Sequence, residues 1–272
     1  KSMDIKNTQV LVTGGSRGIG AALAREYSAK GARVIVTARS GEDLERVATE
    51  INGVAHVADL STTETVDNLI QEIESLYGPI DVLVNNAGVE TVNPVATVAT
   101  EDIRTAARIN LETPMVLTRQ VLPGMIERER GALVYLSSLA GTSGFAGMGP
   151  YCATKAGLNN FVAALRIELK NTPIHATLVA PGPVDTRMWD AVETASESIQ
   201  RSVQRFENLG FLPKTTPEKL AKRVVLATQN KRRHVRHPHR LALNFWLGEA
   251  PRRITEASMI GVKFNPLDYV ED

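Results

Sequence analysis

Several features on which whole classes of protein depend are scarce in this sequence. It has one cysteine, Cys152, so it cannot form an internal disulfide, which is typical of a reducing compartment. The net charge of +1 gives no general attraction to nucleic acid or to a membrane surface. Its apolar runs fall short of the ~20 residues that span a bilayer, and the first residues, KSMDIKNTQ, lack the apolar region of a signal peptide. We therefore expect a cytoplasmic protein with no nucleic-acid partner and no transmembrane segment.

The composition is that of an ordinary globular protein, with 43% hydrophobic and 22% charged residues, and we predict a single domain over 1–272. Nearly continuous apolar runs alternate with longer segments of helical period, as in parallel strands covered on both faces. This alternation predicts an α/β fold, a Rossmann-type doubly wound parallel sheet with helices on both faces. The strand candidates are Thr8–Thr13, Arg33–Thr37, Val54–Ala58, Asp81–Asn85, Ala132–Ser137 and Ile174–Ala180.

The segment VTGGSRGIG directly follows the first strand candidate and opens the first predicted helix. Gly14, Gly18 and Gly20 remove side chains where the backbone has to turn tightly and approach a ligand. The N–H groups and the positive dipole end of the helix would then face that ligand. In a doubly wound sheet a dinucleotide pyrophosphate binds at this position, so the segment predicts a cofactor site. The alternative is a turn with a structural role alone.

The second strand candidate ends without the carboxylate that would hold the two ribose hydroxyls of NAD. Ala38 occupies that position, Arg39 follows it, and Arg17 lies in the glycine-rich turn. Because guanidinium groups grip a phosphate in bidentate fashion, these residues favour NADP(H), with NAD(H) as the alternative. The competing interpretation is that both arginines are solvated surface residues.

A phenol and an ammonium lie four residues apart, at Tyr151 and Lys155, after a glycine-rich loop that starts at Ser137 and Ser138. On a helix, positions four apart share a face. A free tyrosine, with a pKa of about 10, exchanges protons poorly at neutral pH, and a neighbouring ammonium lowers that pKa by favouring the phenolate. The spacing therefore suits acid–base chemistry on a carbonyl group. Taken alone, it is also that of a surface Tyr and Lys on an ordinary helix.

Together these motifs resemble those of the short-chain dehydrogenases/reductases, in their short single-domain branch. The resemblance spans roughly residues 8 to 186. It implies hydride transfer between a nicotinamide cofactor and a carbonyl or alcohol substrate. It is carried, in the family's order, by Thr13-Gly14-x-x-x-Gly18-x-Gly20, Asn85-Asn86-Ala87-Gly88, Ser138, Tyr151-x-x-x-Lys155, and Pro181-Gly182 with Val184 and Thr186.

The resemblance implies catalytic roles for four residues. Tyr151 would be the general acid and base, and Lys155 would lower its pKa and hydrogen-bond the nicotinamide ribose. Ser138 would orient the substrate oxygen and stabilise charge on it; it, rather than Ser137, has the family's interval of 13 residues to the tyrosine. Asn110 matches the family's fourth catalytic position, which holds a water for proton relay.

The resemblance also implies which residues hold the cofactor. Asp59 would accept a hydrogen bond from the adenine amino group, and Val184 and Thr186 would meet the nicotinamide carboxamide. The complete predicted set is Gly14, Ser16, Arg17, Gly18, Ile19, Gly20, Arg39, Asp59, Leu60, Asn86, Ala87, Gly88, Tyr151, Lys155, Pro181, Gly182, Val184 and Thr186.

The connection over 187–213 matches the family's variable region, which covers the substrate. Its apolar residues predict a lid over a mostly apolar substrate. A surface helical hairpin packed on the body of the protein is an equally good interpretation. The predicted substrate contacts are Phe145, Met188, Trp189 and Phe206.

The segment 231–272 departs from the family because it lacks the glycine-rich ending that packs on a neighbouring subunit. It starts with KRRHVRHPHR, in which Val235 is the centre of a poor strand candidate. A peripheral membrane contact through this basic and apolar segment is an alternative that we favour less than packing on the core or on another subunit. The spacing of its histidines fits no zinc pattern, so no metal is expected. The expected assembly is a homo-oligomer, either a dimer or a tetramer.

The sequence thus predicts an NADP(H)-dependent oxidoreductase that interconverts a ketone or aldehyde and the corresponding alcohol. The expected substrate is a medium-sized, mostly apolar carbonyl compound: steroid-like, acyl-chain or aromatic. The alternative is a non-catalytic protein that senses NADP(H) on the same scaffold. The complete set of Ser138, Tyr151 and Lys155 argues against that alternative.

Overall fold

In a computed structural model of the protein, the residues described are 2–184, 195–208 and 214–237, together with 250, 253–255 and 257. Three predicted site residues, Thr186, Met188 and Trp189, lie outside them. Most of 231–272 and part of the predicted lid over 187–213 also lie outside them. The side chain of Phe206 is likewise not described, although its backbone is helical.

One parallel sheet runs through the described residues. Its strands pair in the order β3-β2-β1-β4-β5-β6-β7. Six of them agree within one residue at each end with the apolar runs of the sequence, so the predicted Rossmann-type doubly wound fold is confirmed. The strands are β1 (Gln9–Thr13), β2 (Arg33–Ala38), β3 (Val54–Val57), β4 (Val82–Asn85), β5 (Ala132–Leu136), β6 (His175–Pro181) and β7 (His234–His237).

Helices connect the strands and cover both faces of the sheet. A π-helical segment, Arg108–Glu112, joins the fourth helix to the fifth, and short 3-10 helices span Leu139–Gly141 and Leu169–Asn171. The α-helices of the described residues are α1 (Gly18–Ala29), α2 (Gly41–Glu50), α3 (Thr63–Tyr77), α4 (Thr100–Ala107), α5 (Thr113–Glu127), α6 (Gly149–Glu168), α7 (Glu197–Asn208) and α8 (Pro217–Gln229).

Alternate side chains of each inner strand enter two different cores. Val12 of β1 packs in one core with Leu23 of α1 and Val224 of α8. Leu11, its neighbour, packs in the opposite core with Leu69 of α3. All five side chains are fully buried, and each such burial stabilises the fold by about 1.5–3 kcal/mol. Two covered faces explain why the strands are apolar throughout.

The strand order reverses between β1 and β4. The chain proceeds from β1 outward to β3 and then returns to β4 on the other side of β1. Thr13 and Asn85, the last residues of these two strands, therefore end side by side. In open parallel sheets this switch point is where ligands bind.

The poor strand candidate around Val235 forms the edge strand β7. It pairs with β6 in parallel, with His234 opposite Leu178 and His237 opposite Pro181. The carbonyl oxygen of His237 accepts a hydrogen bond of 2.7 Å from the N–H of Gly182. The edge strand therefore holds the start of the loop that leaves β6 toward the switch point.

Candidate active site

The turn after β1 requires glycine at two positions. Gly14 has a φ of 66°, in the left-handed region, and a Cβ there would lie 2.9 Å from the Cα of Ala87. A Cβ on Gly20 would collide with the carbonyl oxygen of Gly14. The side chain of Arg17, the residue before α1, makes no capping hydrogen bond. The first N–H groups of α1 and the positive end of its dipole are therefore available to an anionic ligand.

Hydrogen bonds tie this turn to the end of β4. The Thr13 hydroxyl oxygen accepts from the N–H groups of Asn86 and Ala87, both at 3.0 Å. In return the Asn86 side-chain amide donates to the carbonyl oxygens of Thr13 at 2.9 Å and of Gly14 at 3.2 Å. The two small-residue segments of the sequence are thus one rigid unit at the switch point.

A cavity of about 1120 Å³ opens beyond the carboxyl ends of the strands. Every residue of the predicted cofactor set lines it except Thr186, which is not described. Two other predicted site residues, Ser138 and Phe145, line the same cavity. The glycine-rich turn therefore shares one space with Ser138, Tyr151 and Lys155, whereas Asn110, the fourth predicted catalytic residue, does not line it.

Charged side chains gather where the cavity approaches the end of β2. Arg17, Arg39 and Asp59 are there, as the sequence predicts. The Asp59 carboxylate accepts a 2.9 Å hydrogen bond from the N–H of Ser61. That bond is the main reason that the pKa of Asp59 is lowered, and the charge of Arg39 adds to the effect. Asp59 is therefore held as a carboxylate, a hydrogen-bond acceptor.

Sequence reasoning missed two further charged residues at this end of the cavity. Asp43 and Arg46 of α2 both line it, and their side chains form an ion pair of 3.0 Å. They lie three residues apart on an amphipathic helix, a pattern that is more often a solvated helix face. The orientation of α2 over the end of β2 brings them to the cavity, and no local motif indicates it.

Three of the four predicted catalytic side chains come together: Tyr151 and Lys155 from α6, and Ser138 from the loop after β5. Tyr151 and Lys155 of α6 are each 5% exposed. The Lys155 ammonium lies 5.6 Å from the centroid of the Tyr151 ring and donates a 2.8 Å hydrogen bond to the carbonyl oxygen of Leu136. Ser138 precedes a 3-10 helix, and its hydroxyl oxygen accepts from the N–H of Ala140 at 3.1 Å.

The electrostatics of this group differ from the sequence-based expectation. Burial raises the pKa of Tyr151 to about 12; a hydrogen bond from Ser138 lowers that pKa in part, and the charge of Glu90 raises it further. Burial also lowers the pKa of Lys155 to about 8. The sequence predicts a tyrosine pKa lowered by the neighbouring ammonium, whereas the structure gives a raised one, because loss of water around the phenol is the largest effect on it.

Asn110 lies within the π-helical segment and is 1% exposed. Its side-chain oxygen accepts from the N–H of Val89 at 2.8 Å, and its amide donates to the carbonyl oxygen of Val89 at 2.7 Å. The amide also donates to the Thr154 hydroxyl at 3.2 Å. A Cβ on Gly88 would lie 3.3 Å from the Asn110 side-chain oxygen and 3.6 Å from the Lys155 ammonium. Asn110 thus adjoins the predicted catalytic side chains and fixes the backbone beside them.

The two serines after β5 have different surroundings. The Ser137 hydroxyl donates to the side-chain oxygen of Asn159, whose amide donates to the carbonyl oxygen of Gly141 at 3.1 Å. Ser137 therefore braces the loop against α6. Ser138, in contrast, hydrogen-bonds Tyr151. This agrees with the prediction that Ser138, which lies 13 residues before Tyr151, is the serine of the site.

An apolar wall closes the cavity on the side of α7. Ile199 of α7 is 4% exposed and packs with Val92, Met148 and Val203. Gly147 has a φ of 79°, and a Cβ there would collide with Ile199. The loop before α6 and the described helix of the predicted lid region are therefore in direct contact.

Comparison with known proteins gives a match over most of the chain. The profile of the short chain dehydrogenase family matches residues 8–197. The chain belongs to the short-chain dehydrogenase/reductase family. Ketoacyl reductase HetN of Nostoc is 34% identical over 227 residues, which are 82% of this chain and 75% of the relative. The NADP-dependent 3-hydroxy acid dehydrogenase YdfG of Salmonella typhi is 33% identical over 79% of this chain and 86% of its own.

A solved structure of another short-chain dehydrogenase/reductase agrees with the fold. It is a metagenomic short-chain oxidoreductase in complex with NADP, 33% identical, with a TM-score of 0.70 over 86% of this chain and 98% of its own. Members of the family are oxidoreductases that bind NAD(P) and act on small molecules. This short-chain dehydrogenase/reductase has, within its described residues, no helix long and apolar enough to cross a membrane. Nor do those residues contain a cluster of three side chains suited to hold a metal ion.

Proposed function

We propose that this short-chain dehydrogenase/reductase is an NADP(H)-dependent enzyme that interconverts a ketone or aldehyde and the corresponding alcohol. One observation carries the proposal: Ser138, Tyr151 and Lys155 line the same cavity as the glycine-rich turn. The turn fits a pyrophosphate because it brings bare backbone and the start of α1 to the cavity, where a Cβ at Gly14 or Gly20 would clash.

Reduction of a carbonyl group needs a hydride and a proton, and two different groups supply them. NADPH, when bound, supplies a hydride to the carbonyl carbon and is oxidised to NADP⁺. Tyr151 donates its phenolic proton to the carbonyl oxygen as the C=O π bond opens, so that the product is an alcohol. The raised pKa of Tyr151 keeps the phenol protonated at neutral pH, so the proton that the reduction needs is present on the side chain.

The remaining residues of the group assist Tyr151. Ser138 donates a hydrogen bond to the substrate oxygen and stabilises the charge that develops on it. The Lys155 ammonium stabilises the phenolate that proton donation leaves on Tyr151 and hydrogen-bonds the nicotinamide ribose. Asn110, buried between Val89 and Thr154, adjoins the water path through which the phenol regains its proton.

Two guanidinium groups support a preference for NADP(H). Arg17 and Arg39 line the same end of the cavity, Arg46 beside them is paired with Asp43, and Ala38 stands where an acid would favour the ribose hydroxyls of NAD. A 2′-phosphate bound there would be held by charge-assisted hydrogen bonds. One relative is named as NADP-dependent, and one similar structure is a complex with NADP.

The substrate that fits best is a medium-sized, mostly apolar carbonyl compound. Support comes from the cavity wall, to which Phe145, Met148, Ile199 and Val203 contribute. Ser202 adds a hydroxyl to the same wall. An acyl-chain ketone is consistent with the ketoacyl reductase named among the relatives.

The direct test follows NADPH oxidation in the presence of a ketone panel that includes steroid, acyl-chain, aromatic and small sugar ketones. We expect turnover on apolar members. Turnover on the sugars alone would overturn the substrate assignment. NADPH binding without turnover on any member would overturn the enzymatic assignment in favour of a sensor.

A further inference from the structure

Asn159 of α6 holds the loop that carries Ser138 from both sides of that serine. It is 1% exposed and lies about one helical turn after Lys155. Its side-chain oxygen accepts a hydrogen bond from the hydroxyl of Ser137, and its amide donates to the carbonyl oxygen of Gly141 at 3.1 Å. Ser137 comes directly before Ser138, and Gly141 is the last residue of the 3-10 helix that follows it. A single side chain therefore fixes the backbone ahead of Ser138 and behind it.

The loop approaches α6 so closely that Gly141 has no room for a side chain. A Cβ at that position would lie 2.5 Å from the Asn159 amide nitrogen and 2.9 Å from the carbonyl oxygen of Lys155. The N–H of Gly141 donates to the carbonyl oxygen of Ser138 at 3.0 Å, and the Ser138 hydroxyl oxygen accepts from the N–H of Ala140 at 3.1 Å. Ser138 thus belongs to a compact turn whose far end is packed against α6.

The same helix carries the group that Ser138 contacts. The Ser138 side chain hydrogen-bonds Tyr151, which lies about two helical turns before Asn159 on α6. The separation between the serine and the phenol therefore depends on how the loop lies on this helix. Asn159 supplies two hydrogen bonds across that contact, and both are buried. Breaking a buried hydrogen bond leaves its partner desolvated and unsatisfied, so the contact resists a shift of the loop.

We propose that Asn159 is a positioning residue of the active site, which keeps the Ser138 hydroxyl in hydrogen-bonding range of Tyr151 and of the substrate oxygen. The inference rests on the proposed function, because it concerns the reaction of the same site. Asn159 itself is not among the described residues that line the cavity, so it acts through the loop and not by touching substrate or cofactor. Misplacement of a reacting group by about 1 Å can lower a rate about a hundredfold.

A double-mutant cycle tests this role. In Asn159→Ala, kcat for a ketone that the wild type reduces with NADPH should fall at least about tenfold, and KM for NADPH should stay within about twofold. Ser138→Ala should lower kcat about 10²–10³-fold, the effect of removing one hydrogen bond to a developing oxyanion. Because Asn159 acts through Ser138, the double variant should match Ser138→Ala within about twofold. Losses that multiply in the double variant would mean a general structural role and would overturn the proposal.

Asn160→Ala is the matched control. It removes the same side chain from the next position of α6, which is exposed and is not among the residues that line the cavity. Its kcat should stay within about twofold of the wild type. An equal loss in Asn159→Ala and Asn160→Ala would mean that any change on α6 lowers kcat, and would overturn the proposal.

Ser137→Ala is a milder second variant for the case that Asn159→Ala does not fold. It removes the hydroxyl that donates to Asn159 and keeps the hydrogen bond from Asn159 to Gly141. Loss of one such bond should lower kcat about threefold, and the loss should again disappear when Ser138 is already replaced by Ala. An unchanged kcat in Ser137→Ala would then overturn the proposal.

A spectroscopic measurement keeps the two proposals separate. In protein labelled with ¹³C-tyrosine, the Cζ resonance of Tyr151 is identified by its loss in Tyr151→Phe. Because this resonance depends on hydrogen bonds to the phenol, Ser138→Ala and Asn159→Ala should shift it in the same direction, whether or not a ketone is reduced.

The outcomes differ for the two proposals. If the wild type reduces a ketone and Asn159→Ala changes neither kcat nor the Tyr151 resonance, the role of Asn159 is wrong and the proposed function stands. If no ketone is reduced, the proposed function fails for the panel. A shared shift in Ser138→Ala and Asn159→Ala would then still support the positioning role, and an unchanged resonance in Asn159→Ala would overturn it.

Discussion

The Lys155 ammonium lies 5.6 Å from the centroid of the Tyr151 ring and is held there by the carbonyl oxygen of Leu136, the last residue of β5. Burial disfavours the charged form of each group: it raises the pKa of the tyrosine and lowers that of the lysine. Both side chains are therefore neutral more readily than they would be in water, and their shared burial is what sets the protonation of this pair.

Replacing Tyr151 by Phe removes the proton donor and keeps the ring. General acid–base catalysis contributes about 10²–10⁴-fold, so kcat should fall by at least about a hundredfold. NADPH affinity, measured by fluorescence titration, should change much less. A variant that retains most of its turnover would exclude Tyr151 as the acid.

The pH dependence of stability tests whether the pKa of Lys155 is lowered, when wild type is compared with Lys155→Met. Between the folded pKa of about 8 and the ordinary lysine pKa of 10.5, the unfolded chain binds more protons at this position than the folded chain does. The free energy of unfolding of the wild type, relative to Lys155→Met, should therefore rise between pH 8 and pH 10.5, by up to about 3 kcal/mol. Urea unfolding at several pH values measures it, and a flat difference would contradict the shift.

Arg39→Asp should reverse the cofactor preference. The change removes a guanidinium that the proposal assigns to the 2′-phosphate, and it supplies an acid that can accept from ribose hydroxyls. We expect the ratio of kcat/KM for NADPH to that for NADH to fall by about a hundredfold, the sum of losing one favourable charge and gaining an unfavourable one. Arg33→Asp, at the exposed opposite end of β2, is the control. Similar ratios in the two variants would rule out a local role for Arg39.

Asn110→Ala should destabilise the fold as well as the site. It removes three hydrogen bonds and leaves the N–H and carbonyl groups of Val89 without their partner. The expected loss of unfolding free energy is about 2–4 kcal/mol. Asn68→Ala, which removes one exposed hydrogen bond to Glu64, should cost well under 1 kcal/mol. Denaturant titration measures the free energy of unfolding of both variants. Equal values would mean that the hydrogen bonds of Asn110 contribute nothing to stability.

Much of this architecture is predictable from the sequence because it depends on local signals. The apolar runs predicted β1 to β6 within one residue at each end. Gly14 and Gly20 could be recognised in advance because a side chain at either position would clash with the neighbouring backbone. The edge strand β7 was less visible because it is short and polar, and only Val235 is buried. Its pairing with β6 is a tertiary effect that overrides its weak propensity.

The electrostatics of the site could not be predicted in the same way. Helical spacing places Lys155 beside Tyr151, but the direction of the tyrosine pKa depends on how much water the rest of the fold excludes. Glu90 and Arg46 line the cavity because the loop after β4 and the axis of α2 place them there. No sequence motif indicates this placement. Three-dimensional burial, rather than residue type, decides these properties.

The contact between Gly147 and Ile199 has a practical consequence. The apolar wall comes from α7 and the loop before α6, whereas the glycine-rich turn and the tyrosine belong to other parts of the chain. Directed evolution restricted to exposed and cavity-facing positions of α7, with Gly147 and Ile199 kept, could therefore retune which carbonyl compounds are accepted. The residues proposed to bind the cofactor and to transfer the proton would be the same in every member of such a library.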